Sequence, residues 1–526
     1  MKVLIADKIS ETCAEVLRAA GLEADHRPGI GRVELLKAVA SVHGLVVRSD
    51  TQVTEEVMAA APELRVIGRA GAGVDNIDVP AATRRGIVVM NAPGENTISA
   101  AEHTMSMLLA MARRIPAADR SMRAGRWERG ATFLGVELYG KTLGVLGVGK
   151  VGREVASRAR AFGMVVIGYD PVLTRDVAGR LGIELVSIDQ VLARADFITL
   201  HLPLTAETRH LIGRDQIKRC RKGVRFINVA RGGVIDEAAL CEGLQSGQVA
   251  GAALDVFEHE PPTGSPLLGL EQVVLTPHLG ASTQEAQEKV AARIAEQIAA
   301  YLRDGTVTSA VNAEGVDPRL APGMLPYRDL CERLGRLLSA LARGPYEEVV
   351  VEFSGAVNEY PTRPLTASLL KGLLQAKLSD PVNPVNAVLL ARESGIRVQE
   401  TRAAESPDFT ALVSATLRGP AGERSVAGTL FGKRDPRLVR VDAFQLDAMP
   451  QGPMLIVSND DRPGMVGRLG GLLGDAHVNI AYMSLGRDRS GGRAIAVLNL
   501  DSPLPDPLFR AIAAQDGVHW VERVTL

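Results

Sequence analysis

The chain has 526 residues, 46% of them hydrophobic and 23% charged, which is more than one hydrophobic core usually serves, so three or four domains are expected. Lys+Arg 60 against Asp+Glu 61 leaves a formal net charge of -1, and this balance excludes the basic field that draws a protein to nucleic acid or an anionic membrane. Four cysteines, Cys13, Cys220, Cys241 and Cys331, stand far apart without a CxxC pair, which predicts free thiols in a reducing compartment, no metal site, and small molecules and other subunits as partners.

The first residues, MKVLIAD, reach an acid after a short apolar run. That run is too short for a signal-peptide core, and no stretch approaches bilayer-spanning length, so a cytoplasmic protein is expected. From Lys2 to about Asn91, apolar runs (VLIA, GLVVR, RVIG, IVVM) alternate with helix-like segments, the pattern of a parallel sheet with crossover helices. A second series follows from Thr142 to Thr276: TLGVLG, MVVIGYD, DFITLHLP, VRFINVAR, VAGAALDVF and QVVLTPH. In both series polar residues arrive as each run ends, at the carboxyl ends of strands, where open α/β sheets bind ligands.

Within KTLGVLGVGKVGREVASRARAFGMVVIGYDP, a strand leads into Gly147, Gly149 and Gly152, then a helix, then a strand ending at Asp170. The first glycine permits the turn, the second lets backbone approach a pyrophosphate, and the third lets helix pack on strand. Asp170, about 20 residues on, is placed to accept ribose hydroxyls and repel a 2′-phosphate, which favours NAD over NADP. Lys150 in the loop reaches either a phosphate or solvent.

Three later strand ends carry Arg231 (INVARGGVIDE), Glu260 (LDVFEHEPP) and His278 (LTPHLGAST). Hydride transfer from a 2-hydroxy acid needs a guanidinium to hold the carboxylate and a base for the hydroxyl proton, with an acid to orient that base. Singly, Arg231 could cap a helix, Glu260 could be a solvated loop acid and His278 a satisfied histidine; their shared edge favours chemistry. His259 remains a rival base.

These motifs, with GVGKVG, NVARGGVIDEAAL, GAALDVFEHEPP and TPHLGASTQEAQ, resemble the D-isomer-specific 2-hydroxyacid dehydrogenases. The resemblance implies Arg231, Glu260 and His278 as the catalytic residues and Asp170 as the ribose acid. It places Asp255 near the nicotinamide amide, and Val151, Thr208, Ala230 and Gly280 against the cofactor. LVVRSDTQVTEEV, GRAGAGVDNIDVPAA, NAPGENTISAAEHT and AGRWERGATFLGVELYGK are most similar to the branch of that family acting on 3-phosphoglycerate, with Arg48, Arg69, Gly73 and Arg129 implied as substrate-binding and surface salt bridging as the alternative for the arginines. Another D-2-hydroxy acid as substrate, or an NAD-sensing binding protein, are the competing readings.

The helical pattern from Glu285 to Asp304, with Val290, Ile294, Ile298 and Leu302, ends at Gly305 and is expected to return the chain to the first lobe. NAEGVDPRLAPGMLP reads as a linker. SDPVNPVNAVLLARESGIRV resembles the intervening domain of the long members of the family. The end of the chain reads strand, helix, strand, strand, helix, strand, the split βαβ order of a ferredoxin-like fold.

There NDDRPGMVGRLGGLLGDAHVNIAYM carries a second run of glycines, Gly464, Gly467 and Gly470, without GxGxxG order or a ribose acid. Small residues at this spacing suit close packing on a sheet or on another subunit. NDDRPGMVG followed by VNIAYM resembles an ACT domain, which implies an amino-acid effector, L-serine, at Asn459, Asp461 and Asn479 between paired modules, and a homotetramer. The expectation is an α/β protein with two Rossmann-like doubly wound lobes: a substrate domain (1–98 with 284–304) and an NAD domain (99–283). An α+β intervening domain (316–450) and a ferredoxin-like ACT domain (452–526) follow.

Overall fold

The computed structural model describes residues 1–313, 322–342, 346–378, 381–406, 408–420 and 422–526. Much of the expected linker, the expected domain start at 316, and Ser379 and Asp380 of the SDPVNP segment lie outside the described residues. The chain forms two compact units, Met1–Asn91 with Arg293–Leu526, and Ala92–Ala292.

In the first unit, β1 (Lys2–Ile5), β2 (Glu23–His26), β3 (Gly44–Val47), β4 (Val66–Arg69) and β5 (Val88–Asn91) form an all-parallel sheet ordered β2-β1-β3-β4-β5. Every residue of β3 is buried, as expected of a parallel strand covered on both faces. The strand the sequence did not reveal is β2, whose EADH is polar because it lies at the sheet edge. The helix Gln284–Asp304 ends against this sheet. A Cβ on Gly68 would stand 2.5 Å from the Ile298 side chain and 2.8 Å from that of Ile294, so a glycine in β4 is what lets the helix lie so close.

The second unit contains β6 (Thr142–Leu146), β7 (Val165–Tyr169), β8 (Glu184–Leu185), β9 (Phe197–Leu200), β10 (Val224–Asn228), β11 (Val249–Leu254) and β12 (Val273–Leu275). They are parallel and ordered β12-β11-β10-β9-β6-β7-β8. The order reverses between β6 and β9, which opens a crevice at the carboxyl ends there.

The rest of the first unit adds a mixed sheet of β13 (Glu348–Gly355), β14 (Arg397–Ala403), β15 (Ala411–Gly419), β16 (Gly422–Phe431), β17 (Asp435–Val441) and β18 (Phe444–Ala448), ordered β14-β13-β15-β16-β17-β18. A last, antiparallel sheet of β19 (Pro453–Asp460), β20 (Ile480–Arg487), β21 (Arg493–Leu500) and β22 (Val518–Thr525) has the order β20-β21-β19-β22, the split βαβ arrangement. One face of that sheet packs Leu455, Val457 and Leu498 against its own helices through Leu469, Leu473 and Ile512. Its other face sends Met454, Ile456 and Val497 into the core of the preceding sheet, beside Leu330, Leu334 and Phe353. The two carboxyl-terminal modules therefore share one core.

The helix Met465–Asp475 buries Met465, Leu469 and Leu473. A Cβ on Gly467, Gly470, Gly471 or Gly474 would meet nothing within 4 Å, so these glycines do not serve packing on the module's own sheet. The shared core makes a specific prediction. Truncating Ile456, fully buried where the two modules meet, is expected to cost about 2–5 kcal/mol and to lower the melting of both modules together in a calorimetric scan. Separate melting of the two would refute the shared core.

Candidate active site

The strands of the second unit end in one row. Tyr169, Leu146, Leu200, Asn228, Leu254 and Leu275 are aligned by the ladder, and the residues singled out from the sequence follow directly upon it. The glycine loop realises three separate steric demands. Gly147 has φ +92, and a Cβ there would lie 2.6 Å from the His201 carbonyl oxygen. A Cβ on Gly149 would meet nothing, whereas one on Gly152 would strike the Gly147 carbonyl at 2.1 Å. The loop is thus closed on its protein side and open at Gly149, where the helix Lys150–Ala161 begins, and this fits a pyrophosphate.

At the end of β7, Asp170 accepts the Val148 N–H of this loop at 2.9 Å and those of Val172 and Leu173 at 2.9 and 3.0 Å. A carboxylate has further lone pairs, so these bonds aim Asp170 without exhausting it. Lys150 Nζ reaches the Pro93 carbonyl at 3.4 Å, and Val151 packs into the core beneath the loop. Thr208 is half-buried and closes its own turn by donating to the Pro203 carbonyl at 2.6 Å.

His278 and Glu260 meet: Nδ1 and Oε2 are 2.8 Å apart. With Nδ1–H donated to the carboxylate, Nε2 is the imidazole atom left to exchange a proton. Glu260 also accepts the Phe257 N–H at 3.2 Å. Burial alone would raise its pKa, but the hydrogen bond and charge of His278 outweigh it and hold the carboxyl below its ordinary range. His259 is exposed, with no hydrogen bond or ion pair among the described residues, so of these two histidines His278 is the one that a carboxylate orients.

Arg231 is half-buried and donates to the Ala230 carbonyl at 2.7 Å. The turn carrying it is fastened by Asn228, which donates to the Arg231 carbonyl at 2.8 Å and accepts the Ala230 N–H at 3.0 Å.

His278 has φ +54, a left-handed backbone that a β-carbon normally disfavours. It is held there by Asp255. The Asp255 carbonyl accepts the His278 N–H at 2.8 Å, and its carboxylate accepts the N–H groups of Leu279 at 2.7 Å and Gly280 at 2.8 Å and the Thr276 hydroxyl at 2.6 Å. His103 Nε2 lies 3.2 Å from the same carboxylate and 3.1 Å from the Thr276 hydroxyl. Burial opposes the Asp255 charge, yet the bonds from His103, Leu279 and Thr276 keep its pKa below the usual carboxylate range. Asp255, read from resemblance as a nicotinamide neighbour, is fully buried and engaged by backbone donors.

Arg129, in the second unit, is exposed, with its guanidinium 5.0 Å over the Trp127 ring. Arg48, Arg69 and Gly73 belong to the first unit, Arg48 just after β3 and Arg69 ending β4. The Arg48 loop is held by Asp7, which accepts the Arg48 N–H at 2.5 Å and that of Thr51 at 3.3 Å, and by Asn76, which donates to the Arg48 and Thr51 carbonyls at 2.9 and 2.6 Å. Asp7, Asn76, His103 and Asn228 escaped the sequence reading. Asn228 and Asp7 do carry one signal, a polar residue ending an apolar run.

The effector residues do not converge within one chain. Asn459 and Arg487 both pair with Ala494 at one end of the last sheet, whereas Asn479 precedes Ile480, which pairs with Leu500 at the other end. Eight residues of strand separate the ends, roughly 26 Å. Asp461 accepts the Gly491 N–H at 3.0 Å, Asn459 donates to the Asp460 carbonyl at 2.7 Å, and Asn479 donates to Asp501 at 2.7 Å.

Residues 105–280 match the family described as D-isomer specific 2-hydroxyacid dehydrogenase, NAD binding domain; residues 323–442 match the D-3-phosphoglycerate dehydrogenase intervening domain; residues 454–517 match the ACT domain. The chain is 43% identical to the D-3-phosphoglycerate dehydrogenase of Archaeoglobus fulgidus over 98% of both chains. It is 40% identical to that of Bacillus subtilis over 100% of this chain and 99% of the relative. The chain belongs to the D-3-phosphoglycerate dehydrogenase family. Among solved structures, the TT0316 protein from Thermus thermophilus is 36% identical, over 59% of this chain and 100% of that one, with a TM-score of 0.55. The D-lactate dehydrogenase from Aquifex aeolicus complexed with NAD and lactic acid is 28% identical over 58% and 96%, with a TM-score of 0.52. The NAD-binding domain match, residues 105–280, falls within the second unit, which carries the glycine loop and Asp170.

Replacing Asp255 by Asn leaves one acceptor oxygen where the loop offers several donors. We expect kcat to fall about a hundredfold through misplacement of His278, measured at saturating substrate; an unchanged kcat would remove this role from Asp255. His201, beside the glycine loop, has its pKa pushed down to about 4 by burial. A base lowered on folding is protonated first in the unfolded chain, so its contribution is complete above about pH 6.5 and erodes as pH falls towards 4. Thermal midpoints measured across that window should fall less steeply for His201→Gln than for the parent.

Proposed function

We propose that this chain oxidises 3-phosphoglycerate to 3-phosphohydroxypyruvate with NAD, the first step of phosphorylated L-serine synthesis, as a cytoplasmic homotetramer restrained by L-serine. The observation that carries the reading is the 2.8 Å His278–Glu260 pair on the edge of an NAD-binding sheet, in a chain that matches D-3-phosphoglycerate dehydrogenases from end to end.

NAD, when bound, supplies the acceptor for the hydride leaving C2. The loop shaped by Gly147, Gly149 and Gly152 would hold its pyrophosphate at the open Gly149, with Lys150 and Val151 at the helix start and Asp170 for the ribose; Thr208, Ala230, Asp255 and Gly280 would serve the rest of the cofactor. Arg231 binds the substrate carboxylate with its guanidinium fork. His278 Nε2 takes the C2 hydroxyl proton, and Glu260 stabilises the imidazolium that results, a contribution of about a hundred- to ten-thousandfold. Arg48, Arg69, Gly73 and Arg129 receive the charge and hydroxyl groups of a substrate that is doubly anionic at its phosphate end.

The regulatory reading rests on the ACT match and on the spread of Asn459 and Asp461 from Asn479. Residues at opposite ends of one sheet meet around one small molecule only when two copies pair head to tail. In that pairing Asp461 takes the amino group of serine and the two asparagines its carboxylate and hydroxyl.

The test is the initial rate of NADH formation from 3-phosphoglycerate and NAD with the keto product trapped, repeated with D-glycerate and with added L-serine. Turnover specific for the phosphorylated acid and lowered by serine is the expected result. Proven NAD binding without turnover of 3-phosphoglycerate would overturn the substrate, and full activity in saturating serine would overturn the regulation.

A further inference from the structure

Within the first unit, one stretch of the amino-terminal domain, Thr83 to Val89, is hydrogen-bonded by side chains from the later part of the chain. Asn312 accepts the Val89 N–H at 2.8 Å and donates to the Ile87 carbonyl at 2.8 Å and to the Thr83 hydroxyl at 3.0 Å. From the intervening domain, Asn383 donates through Nδ2 to the Gly86 carbonyl at 2.9 Å, and Asn386 donates to the Arg84 carbonyl at 3.1 Å.

The fit at Gly86 is close. Its φ is +68, and a Cβ there would stand 2.0 Å from Asn383 Nδ2, so the amide occupies the space that glycine leaves. Asn383 is pre-set for this. Its Oδ1 accepts the N–H groups of Val385 and Asn386 at 2.9 and 3.2 Å, and fully buried Asn386 accepts the Asn383 N–H at 2.7 Å and donates to the Pro381 carbonyl at 2.9 Å. These are asparagine turns, which fix the backbone that presents the amides.

The gripped residues are the carboxyl end of the helix Val79–Arg84, whose amino end is capped by Asp78 at 3.0 Å from the Ala81 N–H. Immediately before it runs the loop after Arg69, with Gly73 and with Asn76, which pins the Arg48 and Thr51 carbonyls. A helix this short is not stable by itself, and its carboxyl end leaves carbonyls to be met. The following turn meets those of Ala81, Ala82 and Thr83, and the intervening domain meets that of Arg84 and, two residues beyond the helix, that of Gly86.

We propose that Asn383 and Asn386 are positioning residues for the substrate loop: the intervening domain sets where residues 71–78 stand by holding the far end of the helix that follows them. This rests on the assignment of Arg48, Arg69 and Gly73 to the substrate.

The decisive variant is full-length Asn383→Asp. It keeps Oδ1 for the local turn, loses the donor to Gly86, and sets an oxygen against the Gly86 carbonyl. Loss of that bond is expected to raise KM for 3-phosphoglycerate about tenfold, with KM for NAD and kcat within about twofold, and to speed hydrogen exchange of residues 71–78 in the substrate-free protein. Asn383→Ser, too short to reach Gly86, is read the same way should the aspartate variant not fold. Faster exchange with an unchanged KM would uphold the coupling and remove the substrate from this loop. Parent-like exchange at 71–78, whether or not the thermal midpoint drops, would reduce the contact to a structural tie and overturn the proposal.

Discussion

The backbone of His278 stands in a left-handed conformation because a buried carboxylate collects the N–H groups around it. Burying an ionised group is costly unless its lone pairs are filled. Asp255 fills them with two backbone donors, a hydroxyl and an imidazole, and its low pKa records how well they compensate. The strain at His278, of the order of 1–3 kcal/mol for such residues, is thereby met by bonds that exist only if β11 and β12 lie in register. The direction of the His278 ring, and its bond to Glu260, follow from that register. The geometry of the His278–Glu260 pair is inherited from the ladder.

The ladder also explains why a single edge gathers so much chemistry. Parallel strands aligned at Leu146, Leu200, Asn228 and Leu254 release their chains at one level, where each backbone must turn and needs polar partners. Asn228 and Asp255 are such partners, and Asp7 is their counterpart at the end of β1 in the other unit. A residue that closes a turn thus stands a few positions from a second polar residue on the same edge, as Asn228 does from Arg231.

This division marks what could be read from the sequence. Strands buried on both faces announce themselves as apolar runs, unbroken in β3 and interrupted only by Thr199 in β9; β2 and the two-residue β8 lie at sheet edges, carry no such run, and were missed. Gly147, Gly149 and Gly152 were legible because each meets a different steric demand at fixed spacing. The loop-fastening part of Asp255 was not legible, since two of its four partners are backbone N–H groups, from residues 279 and 280, and backbone donors have no signature in a sequence. Asn459, Asp461 and Asn479 look like one site along the chain, yet β21 lies between their strands and the strand directions carry them to opposite ends. For the glycines of the helix Met465–Asp475 the spacing offered packing on the sheet or on another subunit, and the fold removes the first alternative.

The carboxyl-terminal sheet buries both faces, one under its own helices and the other in the core of the intervening domain. A module so placed cannot shift without disturbing side chains such as Ile456 and Phe353, because packed interiors transmit displacement rather than absorb it. From that core the contacts continue through Asn383 and Asn386 to Arg84 and Gly86, and from there along six residues of helix to Asp78. Such continuity provides a route, but coupling also requires an element with two arrangements for a ligand to bias. The helix Val79–Arg84 meets this requirement better than the sheets around it. Ala81 and Ala82 anchor its middle in the core, but it is too short to hold itself, hydrogen bonds fix each end, and releasing either end costs one or two bonds of about 1 kcal/mol each.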